Sequence, residues 1–216
     1  MKLRIPDLLL ILALIAGGVL AWQTARERTR LEVEHQRLAR ATGDLRIGDP
    51  TKVHILALET GDPLSFAWRV YLPPNYPVKL KIGSPNSGSM GSGSSGSTES
   101  REFIARLRVR ADESGSLQVF EQFGSGGGMM SLGDKSLADF LMDRSGSVIA
   151  DEMGKKQVET IDPDGSAILL RLSMPEEMQA EARKTLSPHA LNYVPILLEM
   201  RLGPEPPPVS PNGPGN

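Results

Sequence analysis

The chain has 216 residues, 39% hydrophobic and 23% charged, with 24 Lys+Arg against 26 Asp+Glu and a formal net charge of -2. That length suits one domain with attachments, and the balanced charge gives no basic excess of the kind a nucleic-acid-binding domain carries. Cysteine is absent, which excludes disulfides, thiolate metal sites and a cysteine nucleophile, while 22 Gly and 17 Pro are many for a compact enzyme.

Residues 1–7 form a short basic N-terminus with Lys2 and Arg4. From Leu8 to Ala25 there are 18 residues without a charge. As a helix they cover roughly 27 Å against a hydrocarbon core of ~30 Å, so a transmembrane helix is expected over 8–25. Trp22 then sits at headgroup level and Arg26 snorkels to the interface. The competing reading is a cleaved signal peptide with Val19 and Ala21 as the small residues before the cut. Gln23 to Thr42 speaks for an uncleaved anchor, because it continues without Pro or Gly as a helix leaving the membrane would. Arginines follow the span as well as precede it, but long domains translocate largely regardless of charge. The expected placement is therefore the inner (cytoplasmic) membrane, single-pass, with the following domain on the extracytoplasmic side.

Arg4-Ile5-Pro6-Asp7-Leu8-Leu9, an apolar run closing on Trp22, and the basic helix of Arg26, Arg28 and Arg30 resemble the N-terminal anchor of uncharacterised planctomycete single-pass envelope proteins. Pro6 replaces the basic residue usual in those anchors. The resemblance covers about the first 35 residues and implies a single-pass anchor and no activity.

Residues 26–45 are expected as a helical stalk. Thr24, Arg28, Leu31, His35, Leu38, Thr42 and Leu45 alternate steps of four and three, the heptad spacing, although few of them are good core residues. Two readings stay open: a short parallel coiled coil that makes a homodimer, and a solvated single helix. Gly43-Asp44 and Gly48-Asp49-Pro50 end the stalk.

From 46 to 202 the period changes to two, which predicts a mainly β domain, an antiparallel sandwich or twisted sheet with two short helices. Val53 to Glu59 is apolar on both faces. Phe66, Trp68, Val70 and Leu72 alternate with polar or small residues, as do Val78, Leu80 and Ile82, with Pro73 to Pro77 as a hairpin or corner between them. Residues 83–98, with five Gly and seven Ser, read as a flexible loop. Phe103, Ala105, Leu107 and Val109 oppose Arg106, Arg108 and Arg110, and Asp112 to Gly115 turns this strand into Leu117–Phe123. Ser136 is placed as the cap of a first helix burying Leu137, Phe140 and Leu141; Pro175 to Leu186 is the second. Ile168, Leu170 and Leu172 form a strand, and Val194, Ile196, Leu198, Met200 and Leu202 the last one, with Pro195 marking an edge or a bulge. Residues 203–216, with six Pro and three Gly, read as a disordered tail.

The chemical motifs are weak. Gly91 to Gly96 matches the dinucleotide pattern G-x-G-x-x-G, but the next element reads as a strand and offers no helix N-terminus for a phosphate. Gly124 to Gly128 lacks the Lys-Ser/Thr of a phosphate loop. Val70 to Tyr76 is similar to a strand and turn of some α/β-hydrolase esterases, yet the chain has no G-x-S-x-G elbow. His35, His54 and His189 show no ligand spacing, and Asp162 and Asp164 read as a turn rather than a calcium cage. No cofactor and no catalysis are expected. The remaining candidate is the row Arg106, Arg108 and Arg110, with Arg101 nearby. Alternate strand residues project to one face about 7 Å apart, so the row offers an anionic-partner surface, or a solvated face paired with neighbours such as Glu121. The expected function is a membrane-anchored β-domain that binds or scaffolds in the cell envelope, with the bilayer and an envelope protein or polymer as partners. The alternatives are a pseudopilin-like subunit and an envelope hydrolase with an unrecognised site.

Overall fold

The structure is a computed structural model and describes residues 17–31, 33–34, 38, 43–76, 78–86, 88–95 and 98–204. The chain divides into two units, Met1–Thr42 and Gly43–Asn216.

The described part of the first unit is helical: 17–31 form α1, and 33, 34 and 38 are helical as well. Val19, Leu20, Trp22, Leu31, Val33 and Leu38 are all exposed on it. The Arg26 guanidinium lies over the Trp22 ring, 5.5 Å from its centroid. Residues 8–16 of the expected span, and His35 and Thr42 of the heptad row, lie outside the described residues. Among the described residues, no helix is long and apolar enough to cross a membrane.

The second unit is mainly β, with eleven strands in two antiparallel sheets among the described residues. Sheet A runs in the order β7-β6-β5-β2-β1-β9 and sheet B in the order β4-β3-β11-β10-β8. Sheet A comprises β1 (Val53–Leu58), β2 (Ser65–Leu72), β5 (Arg101–Ala111), β6 (Leu117–Phe123), β7 (Gly126–Gly133) and β9 (Glu159–Ile161). Sheet B comprises β3 (Val78–Ser84), β4 (Gly88–Ser95), β8 (Ile149–Glu152), β10 (Ala167–Ser173) and β11 (Ile196–Gly203). Side chains on a strand alternate between faces, so every second residue of each sheet reaches a common core. Val53, Ile55, Phe66, Trp68, Val70, Leu107 and Val119 of sheet A share it with Leu80, Ile82, Leu170, Leu172, Leu198 and Met200 of sheet B. Each fully buried residue of this size stabilises the fold by about 1.5–3 kcal/mol relative to exposure.

β1 is apolar on both faces because its outer face is covered too. Leu56 and Tyr71 pack there with Leu45. The segment 43–50 is pinned across them: Arg69 Nη1 donates to Gly43 O at 2.6 Å, Tyr71 Oη to Pro50 O at 3.0 Å, and His54 Nε2 lies 2.6 Å from Asp49 O. Leu45 is thus a core residue of the β unit and not a stalk seam position, and the unit starts at Gly43 rather than at 46.

The Gly/Ser stretch expected as a flexible loop over 83–98 is largely strand. After the turn at Pro85-Asn86, β4 pairs antiparallel with β3 from Val78↔Ser95 to Ser84↔Gly88. A ladder is built from backbone N–H and C=O groups, so an edge strand needs no apolar side chains when β3 supplies the core residues. Gly126 to Gly128, part of the stretch that lacks the Lys-Ser/Thr of a phosphate loop, open β7 for the same reason, paired to β6. Pro73 to Tyr76 make a corner, since β2 and β3 lie in different sheets.

Asp134, not Ser136, caps α2 (Lys135–Met142): its carboxylate accepts from Leu137 N, and Ser136 Oγ donates to it at 2.7 Å. Leu137, Phe140 and Leu141 are buried as expected. α3 (Glu176–Thr185) has Pro175 at its N-cap and buries Met178 and Ala182. In β10 a register shift between Ile168 and Leu170 breaks the expected phase, so Leu169 is buried as well as Leu170 and Leu172. Pro195 stands beside a second shift, but β11 is an interior strand between β3 and β10, not an edge. Gly203 closes β11, while 205–216 lie outside the described residues.

Candidate functional site

β5 aligns the arginine row by alternation alone. Ala105, Leu107 and Val109 point into the core, which turns Arg106, Arg108 and Arg110 outward, and all three are exposed. Register supplies their neighbours. Arg106 faces Ala67 and Gln122, Arg108 faces Ser65 and Phe120, and Arg110 faces Gln118. Phe120 is in turn opposite Met129 of β7, which is 64% exposed.

Each arginine is held differently. Arg106 Nη1 donates to Gln122 Oε1 at 3.1 Å. Arg108 Nε donates to Ser65 Oγ at 3.0 Å, and its Nη2 lies 3.7 Å from Asp62 Oδ2. A pair this exposed contributes about 0–1 kcal/mol. The Arg110 guanidinium covers the Phe120 ring at 4.1 Å. Leu64 N and the Ser65 hydroxyl hydrogen-bond the Asp62 carboxylate, which with Arg108 holds it below its ordinary pKa. Asp62 is therefore charged at neutral pH and is the one carboxylate paired with the row among the described residues. Glu102, the acid on the outward face of β5 itself, is taken by Arg69.

Glu121 does not belong to this face. It is opposite Leu107, so it points to the core side, and burial raises its pKa. Arg101 lies at the start of β5, with its guanidinium 5.9 Å from the Phe103 ring. The segment 43–50 covers the β1 end of the outer face but not the arginine end. What is open is a surface of three guanidiniums, two glutamines, Phe120 and Met129. Such a surface attracts anions by charge and offers apolar area beside them.

The other motifs are structural. Gly91 and Gly93 are in β4, so no phosphate-binding turn forms there. Asp162 pairs with Lys52 at 2.8 Å, and Gly165 N donates to Asp162 O in a turn. His54 is buried against Tyr71, and His189 stacks edge-on with Tyr193. Among the described residues, no three of His, Asp and Glu converge as a metal site. Sequence reasoning missed Phe120, Met129 and Asp62, which only strand register brings to the row; the polar phase of Leu117–Phe123 was the one available signal. No family model matches the chain, and no curated protein or solved structure is significantly similar to it.

Proposed function

We propose that the chain is a single-pass membrane-anchored protein, held by 8–25, with a stalk leading to a β-domain that binds an anionic partner in the cell envelope. The anchor rests on the uncharged run from Leu8 to Ala25 and on the likeness of the first residues to planctomycete envelope anchors. The observation that carries the binding role is the uncovered row of Arg106, Arg108 and Arg110, balanced by Asp62 alone among the described residues. Charges on an exposed face act through long-range attraction, so binding is expected to weaken with salt.

The test uses the full chain in neutral-lipid nanodiscs and polyglutamate as the anionic probe. The wild type is expected to bind at low salt and release as salt rises. Replacing Arg106, Arg108 and Arg110 together by Gln is expected to lower affinity at least tenfold while leaving thermal stability within a few degrees. Equal binding by both proteins would remove the row from the function.

A further inference from the structure

A second cationic site lies on the outer face of sheet B, built around a carboxylate in the middle of an apolar strand. Glu199 of β11 is only 5% exposed. Its Oε1 accepts from Arg171 Nε at 2.8 Å, and its Oε2 accepts from Arg201 Nε at 2.9 Å and Nη2 at 2.6 Å. Burial opposes its charge, but the hydrogen bonds and charges of Arg201 and Arg171 prevail and keep its pKa below the ordinary value. Glu199 is thereby an internal anchor. It spends its oxygens on two guanidiniums and fixes the direction of Arg201.

β3 completes the site. Lys81 is opposite Arg201, and Gly83, which has no side chain, is opposite Glu199. The gap at Gly83 opens a depression of ≈ 220 Å³ lined by Lys81, Gly83, Pro85, Glu199 and Arg201. The Lys81 ammonium makes no ion pair, and Arg201 Nη1 no hydrogen bond, among the described residues. Among the lining groups Lys81 and Arg201 outnumber Glu199 by one positive charge, and Arg171 on β10 takes up part of the Glu199 charge from outside the depression. Asp151 of β8 is opposite Arg171 on the neighbouring strand and, like Arg171, does not line the depression. Lys79 is two residues from Lys81 on the same face of β3. The Ser84 hydroxyl is committed to Ile196 O at 3.0 Å.

We propose that this depression is an oxyanion site that takes the phosphate group of a ligand. Pockets for whole small molecules have about 300–1,000 Å³, so this one holds a charged group and not the body of a ligand. A guanidinium already oriented by a buried partner loses little freedom on binding, which favours recognition over a loose surface lysine. The Lys81 ammonium and the open edge of the Arg201 guanidinium offer more donors than the two oxygens of a carboxylate use, and match the three oxygens of a phosphate monoester.

The full chain in phosphatidylcholine nanodiscs is titrated with sodium phosphate, then with sodium acetate, while backbone amide signals are followed. A second preparation carries phosphatidic acid in the nanodisc. The amides of Lys81 to Ser84 and of Glu199 to Arg201 are expected to move saturably with phosphate and less with acetate. Movement with free phosphate marks a soluble ligand, and movement only with phosphatidic acid marks a lipid headgroup; either supports the site. Lys81→Gln is expected to weaken phosphate about tenfold, Lys81→Arg to retain it, and Arg106→Gln on the other sheet to leave it unchanged. No movement with either phosphate source would overturn the site. So would an unaltered affinity in Lys81→Gln, or an equal loss in Arg106→Gln.

Discussion

Trp68 shows how single side chains divide their duties here. It is fully buried at the centre of sheet A, and its indole N–H has no hydrogen-bond partner among the described residues. The ring contributes a large apolar area, while the N–H carries a desolvation cost. Trp68→Ala is expected to lower stability by about 3–5 kcal/mol in urea unfolding. Trp68→Phe, which keeps most of the packing and removes the unsatisfied donor, should cost clearly less; equal losses would show that the N–H has a partner after all. Two ionisable groups set opposite limits of pH. Burial pushes the Tyr76 phenol from 10.0 to about 12. Its pKa is higher folded than unfolded, so its stabilisation is complete below pH 10 and is lost as pH rises through 12. Hydrogen bonds from Ser114, Gln118 and Ser116 pull Asp112 from 3.8 down to about 2. That contribution is present above the unfolded value and lost as pH falls toward 2. Melting temperatures followed across pH should therefore lose part of the alkaline decline in Tyr76→Phe and part of the acid decline in Asp112→Asn. A Tyr76→Phe curve superimposable on wild type at high pH would contradict the burial argument.

At the scale of elements, the segment 43–50 is held on sheet A through Leu45, and three hydrogen-bonding side chains of β1 and β2 grip its backbone or lie against it. Leu45→Ala is expected to cost about 2 kcal/mol, the low end for such truncations because the cluster it joins is small. A loss below about 0.5 kcal/mol, the size of a surface effect, would mean the segment is not held. Leu45 also explains one limit of the sequence: its spacing fits a heptad as well as a β-domain core, and only the neighbours Leu56 and Tyr71 decide. Strands with an apolar phase were legible, among them 66–72, 78–82, 101–111 and 117–123. β4 and β7 were not, because Gly and Ser carry no phase and their place comes from the ladder of the strand beside them. β10 was half legible, since a bulge moves side chains to the other face partway along it. The arginine row could be read from alternate spacing. Its companions Phe120, Met129 and Asp62 could not, nor could the pairing of Glu199 with Arg171 across β10 and β11.

For the whole molecule, the two cationic faces have different characters. The sheet A row is open, flanked by apolar residues and suited to an extended partner; the sheet B depression is small and organised around one buried carboxylate. Both need the β unit to be presented to the compartment where the anion is, so the proposed anchor and its proposed topology bear on what the protein can meet. The decisive measurement is fractionation of the expressed chain with intact-mass analysis, together with protease access to residues 46–202 in spheroplasts. The account predicts full-length protein in the membrane pellet, with the β unit cut by protease added outside. A soluble product beginning near Trp22, or a full-length chain protected from outside, would contradict it.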